Sequence, residues 1–168
     1  YAAAKNGARV ILAEDKPRFG GSLLTSDVNI GNQTGVEWTE KIIAELKSMP
    51  NVTVKNRSQV FGYYDHKMLV MSERISDHLP RTQKYLPKQR LWYIRANEVL
   101  ISSGSIERPL VFGNNDTPGV MLSSAAKEYM KVYGVLVGKK PLIFTNNDSG
   151  YETAIEFKKN GVNPIILD

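Results

Sequence analysis

The chain has no cysteine, only two histidines, and no long apolar run. Without cysteine there is no disulfide, no thiolate metal site and no CxxC redox pair. His66 and His78 stand apart, and neither has a second histidine or a carboxylate at ligand spacing, so no metal site is expected. No stretch approaches the ~18 consecutive apolar residues of a membrane span, so no membrane partner is expected. The first residues carry no basic-then-apolar secretory pattern. These absences are compatible with a cytoplasmic location, which is the expectation. There is also no Ser-His-Asp ordering and no carboxylate pair with acid–base logic, so no catalytic residue is assigned to this chain.

Charge of one sign is scarce in blocks. The net charge is +5, but lysines and arginines are scattered in ones and twos. The densest group, RTQKYLPKQR (81–90), reads as a solvated basic loop, and no nucleic-acid partner is expected. At 168 residues, 42% hydrophobic and 23% charged, the chain is long enough for one soluble domain with a sizeable core.

The most telling shortage is a glycine-rich phosphate loop. YAAAKNGA reads as the end of a helix, with Gly7 as its C-terminal cap, and RVILAED follows as a buried parallel strand. These make the second half of a βαβ unit, so the chain starts mid-motif, and its first strand and glycine loop are expected upstream of Tyr1. A helix over 34–50 carries Val36, Ile42, Ile43 and Leu46 on one face, with Thr34 or Thr39 as its cap; NVTVKN is the next strand. From Arg57 the pattern turns to alternation. SQVFGYYD, KMLVMSERI and QRLWYIRA read as three antiparallel strands, the first two joined by a turn at Asp65–His66. EVLISSG reads as a further buried parallel strand, and SIERPLVFGNNDTPGVM as a loop. After a helix ending at Gly134, PLIFTNNDSGYETAIEFKKNGVNPIILD repeats the opening plan of strand, turn, helix, glycine and strand.

This order predicts an α/β fold of the Rossmann-like two-dinucleotide type, interrupted by a three-stranded antiparallel meander. Residues 1–168 form one partial dinucleotide-binding domain. Its first βαβ sheet takes 1–56 and 96–110, the meander takes 57–95, and a second βαβ unit starts over 139–168.

Glu14 and Asp15 end the second strand, where a dinucleotide fold uses an acid to accept both ribose hydroxyls and to repel the extra phosphate of NADP. The alternative is a pair of solvated acids. Gly20 and Gly21 let backbone approach a ligand, and Ser22 offers a hydroxyl to phosphate; a loop that simply needs positive φ angles is the other reading. Ser102, Ser103 and Gly104 are small residues at a strand tip where such folds lay cofactor phosphates. TNNDSG (145–150) stands where the second unit's glycine loop belongs, but only Gly150 remains, so a second dinucleotide bound in the usual manner is not expected. Asn146 and Asn147 either bond an amide such as a nicotinamide or cap the following helix.

With these features in place, the chain resembles the alpha subunits of heterotetrameric sarcosine oxidases. The resemblance runs through GGSLL, PNVTV, VFGYYDH, ERISDHLP, QRLWYIRA, SSGSIERPLVFGNNDTPGVML, YGVLVGKK and TNNDSGYETA, in the family's order. It implies NAD held in this subunit, FAD and the amine-oxidising site in the beta subunit, and FMN between the two. It also implies gamma and delta partners and the oxidative demethylation of sarcosine to glycine, with oxygen as acceptor. Carried over by residue, the ribose acids are Glu14 and Asp15, and the pyrophosphate-side turn is Gly20–Gly21–Ser22. Ser102–Gly104 faces the cofactor, and Thr145 and Asn146 lie towards its nicotinamide end. The family's small-residue turn has threonine where Ser103 stands. The chain on its own is expected to bind dinucleotide weakly and to be inactive. The competing readings are the FAD-binding domain of another flavin oxidoreductase, such as an NAD(P)H–flavin reductase or an opine or amine dehydrogenase subunit, and a scaffold with a vestigial pocket.

Overall fold

A computed structural model describes residues 1–80 and 84–168. Arg81, Thr82 and Gln83, at the start of the basic stretch, lie outside the described residues. The chain divides into two compact units, one of Tyr1–Leu23 with Asp27–Ser102 and the other of Leu24–Ser26 with Ser103–Asp168.

The first unit opens with α1 (Ala2–Lys5), and Gly7 ends it as expected. Gly7 takes a φ of 84°, which lets its N–H reach the Ala4 carbonyl and the Ala8 N–H reach the Ala3 carbonyl, both at 3.1 Å. β1 (Val10–Ala13) follows, then a hairpin of β2 (Asn29–Ile30) and β3 (Gln33–Thr34) that leads into α2 (Gly35–Ser48). Thr34 is the cap of α2. Its hydroxyl accepts the Glu37 N–H at 3.2 Å while the Glu37 carboxylate accepts the Thr34 N–H at 2.8 Å, a reciprocal capping box. Thr39, the other candidate, is buried inside the helix and donates to the Gly35 carbonyl at 2.8 Å. β4 (Val52–Lys55) returns parallel to β1, Val10 opposite Val52 through Ala13 opposite Lys55.

β5 (Ser58–Tyr64), β6 (Met68–Arg74) and β7 (Gln89–Arg95) form one antiparallel sheet in that order. The apolar residues Leu69, Val70 and Met71 fill the central strand, and Met71 is completely buried. His66 and Lys67 turn the first hairpin at φ 57° and 58°. On β5 a bulge inserts Phe61 between Val60, opposite Met71, and Gly62, opposite Val70.

Glu73 on β6 ties the antiparallel sheet to the parallel β1–β4 pair. Its carboxylate accepts from Lys55 Nζ of β4 at 2.9 Å and from Trp92 Nε1 of β7 at 2.7 Å, with Arg90 Nη1 at 3.6 Å. The Lys55 and Arg90 cations also lie 5.0 and 5.8 Å from the Trp92 ring centre. Burial works to raise the Glu73 pKa, but the hydrogen bonds from Lys55 and Trp92 and the charges of Lys55 and Arg90 outweigh it. The carboxyl therefore sits below its ordinary value.

The strand expected in EVLISSG does not form. Residues 98–104 have no regular secondary structure, and Leu100 and Ile101 are 93% and 80% exposed. Among the described residues β1 and β4 pair only with each other, and this segment forms no ladder with either.

In the second unit, residues 103–122 contain neither helix nor strand. Glu107 fixes their path by accepting the Ser123 and Ser124 N–H groups, at 3.2 and 2.7 Å, where α3 (Ser123–Tyr133) begins. Its charge meets the positive end of that helix, whose cap position, Leu122, has no side-chain acceptor. Replacing Glu107 with alanine is expected to cost about 1 kcal/mol of stability, read as a lower melting temperature of the full-length chain, with Glu107→Gln retaining part of the bond. Gly134 ends α3 at φ 65°. β8 (Leu142–Phe144), α4 (Asp148–Lys159) and β9 (Ile165–Leu167) then make a βαβ unit with β8 and β9 parallel. Ala126 and Met130 of α3, Ile143 of β8, and Ala154 and Phe157 of α4 form its core.

Candidate functional site

β1 delivers the two strand-tip acids on a fixed backbone. Beyond Ala13 the ladder continues for one residue, with the Glu14 N–H donating to the Lys55 carbonyl at 2.9 Å. The Glu14 side chain is half-buried and its Oε1 accepts the Lys16 N–H at 3.0 Å; Asp15 is exposed. Burial pushes the Glu14 carboxyl above its ordinary value, the Lys16 bond opposes this, and the adjacent Asp15 adds to it.

The backbone of this tip is held from one side. The Glu14 carbonyl accepts from the Ser58 N–H at 2.8 Å and the Lys16 carbonyl from the Arg57 N–H at 3.0 Å. Asn56 Nδ2 donates to the Pro17 carbonyl at 2.7 Å, and Arg74 Nη2 donates to the Asp15 carbonyl at 2.5 Å.

The glycine pair that follows takes positive φ angles, Gly20 at 129° and Gly21 at 51°, which glycine adopts without strain. The Leu23 N–H closes the turn on the Gly20 carbonyl at 3.0 Å. Leu23 also packs against the start of α2, where a Cβ on Gly35 would come within 3.0 Å of it. Glu14, Asp15, Gly20, Gly21, Ser22 and Ser102 therefore belong to the first unit. Ser103, Gly104, Thr145 and Asn146 belong to the second. Ser102, Ser103 and Gly104 are exposed in irregular chain, with Gly104 at φ 71°.

In the second unit the βα turn consumes most of its own polar groups. The Thr145 hydroxyl donates to the Asn147 carbonyl at 2.8 Å and accepts the Asn147 N–H at 3.2 Å. Asn147 caps α4, its Oδ1 accepting the Ser149 N–H at 3.0 Å. Asn146 is exposed and accepts from the Asn147 amide at 3.0 Å. Tyr151, on the first turn of α4, donates to Asp168 at the tip of β9 at 2.9 Å. Asp168 is the positional counterpart of Glu14 and was not singled out from the sequence. The repeat of strand, turn, helix, glycine and strand was the signal that marks it. Nothing local in the sequence marks Asn56, Ser58 or Arg74, because their partners are backbone carbonyls some forty to sixty residues away.

Among the described residues no group of three or more histidines and carboxylates is placed to hold a metal, and no helix is long and apolar enough to cross a membrane. The chemistry on offer is hydroxyl recognition. Carboxylates on a strand tip whose backbone is already bonded are chemically suited to accept hydrogen bonds from hydroxyl groups at little ordering cost.

The chain is an α/β protein, and it shares its fold with L-proline dehydrogenase from P. horikoshii. The two superpose with a TM-score of 0.76 at 20% identity, over 98% of this chain and 31% of that one. Its sequence relatives are sarcosine oxidase alpha subunits. It is 42% identical over 165 residues to the subunit alpha of Rhizobium meliloti (strain 1021) and 35% identical over 168 residues to that of Corynebacterium sp. (strain P-1). The subunit alpha of Corynebacterium sp. (strain U-96) is 34% identical over 169 aligned positions. These matches take in 98–99% of this chain but 17% of each relative, so the chain spans about a sixth of the length of the proteins it matches. The resemblance read from the sequence thus holds across nearly the whole chain. No family model matches it.

Proposed function

We propose that this chain is the NAD-holding region of the alpha subunit of a multi-subunit, flavin-dependent sarcosine oxidase, serving cofactor retention and assembly. The observation that carries the proposal is the 42% identity to a sarcosine oxidase alpha subunit over 98% of the chain. Glu14 and Asp15 bind the adenosine ribose of a dinucleotide in the first, Rossmann-like βαβ unit, and the Gly20–Gly21–Ser22 turn lies on the pyrophosphate side. The half-buried Glu14 carboxyl and the positive-φ glycine pair suit such a ligand. NAD, when bound, supplies a nicotinamide that can exchange hydride. In the second unit, asparagine side chains and a capped turn replace bare backbone amides, and no dinucleotide is assigned there. Oxidation of sarcosine, with its FAD, FMN and the beta, gamma and delta partners, belongs to the assembled enzyme.

Ribose hydroxyls donate to an ionised Glu14. Because the Glu14 pKa is raised, NAD retention is expected to fall as pH drops, beginning above the ordinary glutamate value of 4.5. The test is to purify the full-length chain and identify the released nucleotide by absorbance and mass spectrometry. Colourless protein releasing NAD supports the reading, and Glu14→Gln should then weaken NAD by about 30-fold, the loss of one charge-assisted bond of about 2 kcal/mol. Yellow protein releasing FAD would replace it with the flavin-oxidoreductase alternative.

A further inference from the structure

We propose that Arg74, acting with Asn56 and the corner at Arg57–Ser58, is a positioning residue for the strand-tip acids, so that the antiparallel sheet sets the placement of the ribose-binding carboxylates. The inference rests on the reading of Glu14 and Asp15 as a ribose site. It goes beyond that reading because it assigns a role to residues whose bonds run to the backbone carbonyls of the strand tip.

The geometry is a run of consecutive bonds. The carbonyls of Glu14, Asp15, Lys16 and Pro17 accept in turn from Ser58 N–H, Arg74 Nη2, Arg57 N–H and Asn56 Nδ2. A four-residue loop with every carbonyl bonded to the same side has lost most of its backbone freedom. The donors come from the β4–β5 corner and from the last residue of β6. Arg74 is doubly placed there, because its own N–H donates to the Arg57 carbonyl at 2.9 Å while its guanidinium reaches Asp15. Arg57 sits at φ 52°, a conformation a non-glycine residue adopts only where the surroundings dictate it, and its N–H and carbonyl are both bonded. Ser58 is 2% exposed, so the corner itself is anchored in the core.

An acid on a loose loop would have to be ordered each time a diol bound, and the cost would come out of affinity. An acid on a clamped loop is already in place, and its position also decides how hard it repels a phosphate on the ribose 2′-oxygen. Arg74 is the one side chain among the four donors that clamps from outside the corner. Its removal should loosen the acids without unfolding the sheet.

The experiment uses the full-length chain stripped of nucleotide and measures Kd for NAD and NADP by calorimetry, with melting temperature recorded in parallel. Arg74→Met should weaken NAD by about fivefold, the scale of one lost hydrogen bond. It should narrow the preference for NAD over NADP, because NADP loses less. Arg74→Lys, which keeps a donor, should recover most of both. Glu14→Gln is the control for the reading itself. If Glu14→Gln weakens NAD but Arg74→Met leaves Kd and the NAD/NADP ratio unchanged, the positioning role is wrong and the ribose site stands. If Arg74→Met lowers melting temperature and affects NAD and NADP equally, Arg74 is only structural and the proposal also fails. If Glu14→Gln changes nothing, the ribose site falls and the positioning role with it.

Discussion

Replacing Glu73 with alanine is expected to lower the unfolding free energy by roughly 3 kcal/mol. Three groups lose their shared acceptor at once: Lys55 at 2.9 Å, Trp92 Nε1 at 2.7 Å and Arg90 at 3.6 Å. Lys55 is the costly one, since it is largely buried and its ammonium group would have no carboxylate beside it. The same substitution should change how stability depends on acid. The Glu73 pKa is lowered in the folded chain, so its contribution is complete above the ordinary glutamate value of 4.5 and is lost as pH falls through the lowered one. Glu14 has the opposite sign: its raised pKa means that folding is opposed, not helped, as that carboxyl ionises. Denaturant titration of the full-length chain from pH 7 down to pH 3 tests this directly. The parent should lose stability more steeply below about pH 4.5 than Glu73→Ala does, and Glu73→Gln should fall between them at neutral pH. Equal stability of parent and alanine variant at pH 7 would show that the network contributes nothing.

The second large effect is expected at Gly150. A Cβ there would lie 2.6 Å from both Cβ and Oγ1 of Thr145, and 2.9 Å from its Cγ2. Thr145 has no room to retreat, being buried, bonded through its N–H to the Leu167 carbonyl at 2.9 Å and through its hydroxyl to the turn. Either α4 must move off β8 or the turn must open, at a cost of about 3 kcal/mol, the upper end for overpacking. Gly113→Ala is the matched control, because nothing lies within 4 Å of the Cβ it would add. A drop in melting temperature confined to Gly150→Ala supports the close approach; matching behaviour of the two variants would remove it.

Gly150 also shows what the sequence made legible. TNNDSG could be recognised as a turn that had lost two of three glycines, and the remaining one holds the position where helix meets strand. Strands with their own periodicity were equally readable. β1, β4 and the three antiparallel strands lie where apolar runs and alternation place them, and Gly7 and Thr34 carry local cap signals that need no tertiary context. EVLISSG carries an apolar run yet joins no ladder among the described residues, so an apolar run by itself does not specify a strand. The clamp on the strand tip was invisible for a related reason: backbone carbonyls accept from any donor, so no residue type at Asn56 or Arg74 announces the partner. The glycine pair at 20–21 has the positive φ angles of a glycine-requiring turn, and a ligand-facing loop and a plain turn share that signature.

The bulge at Phe61 has a consequence for how this region can vary in length. Val60 already stands opposite Met71 and Gly62 opposite Val70, so the partner strand counts no residue for Phe61. Deleting that one position would leave every other pair of the hairpin, and the face each side chain occupies, as it is. Deleting Val60 or Gly62 would have the same effect on pairing, because Phe61 would take the vacated place, whereas a deletion farther along β5 would turn over the residues between it and the bulge. Homologous chains one residue shorter are thus free to differ at this bulge, and a single-residue gap in the hairpin is accommodated anywhere from Val60 to Gly62.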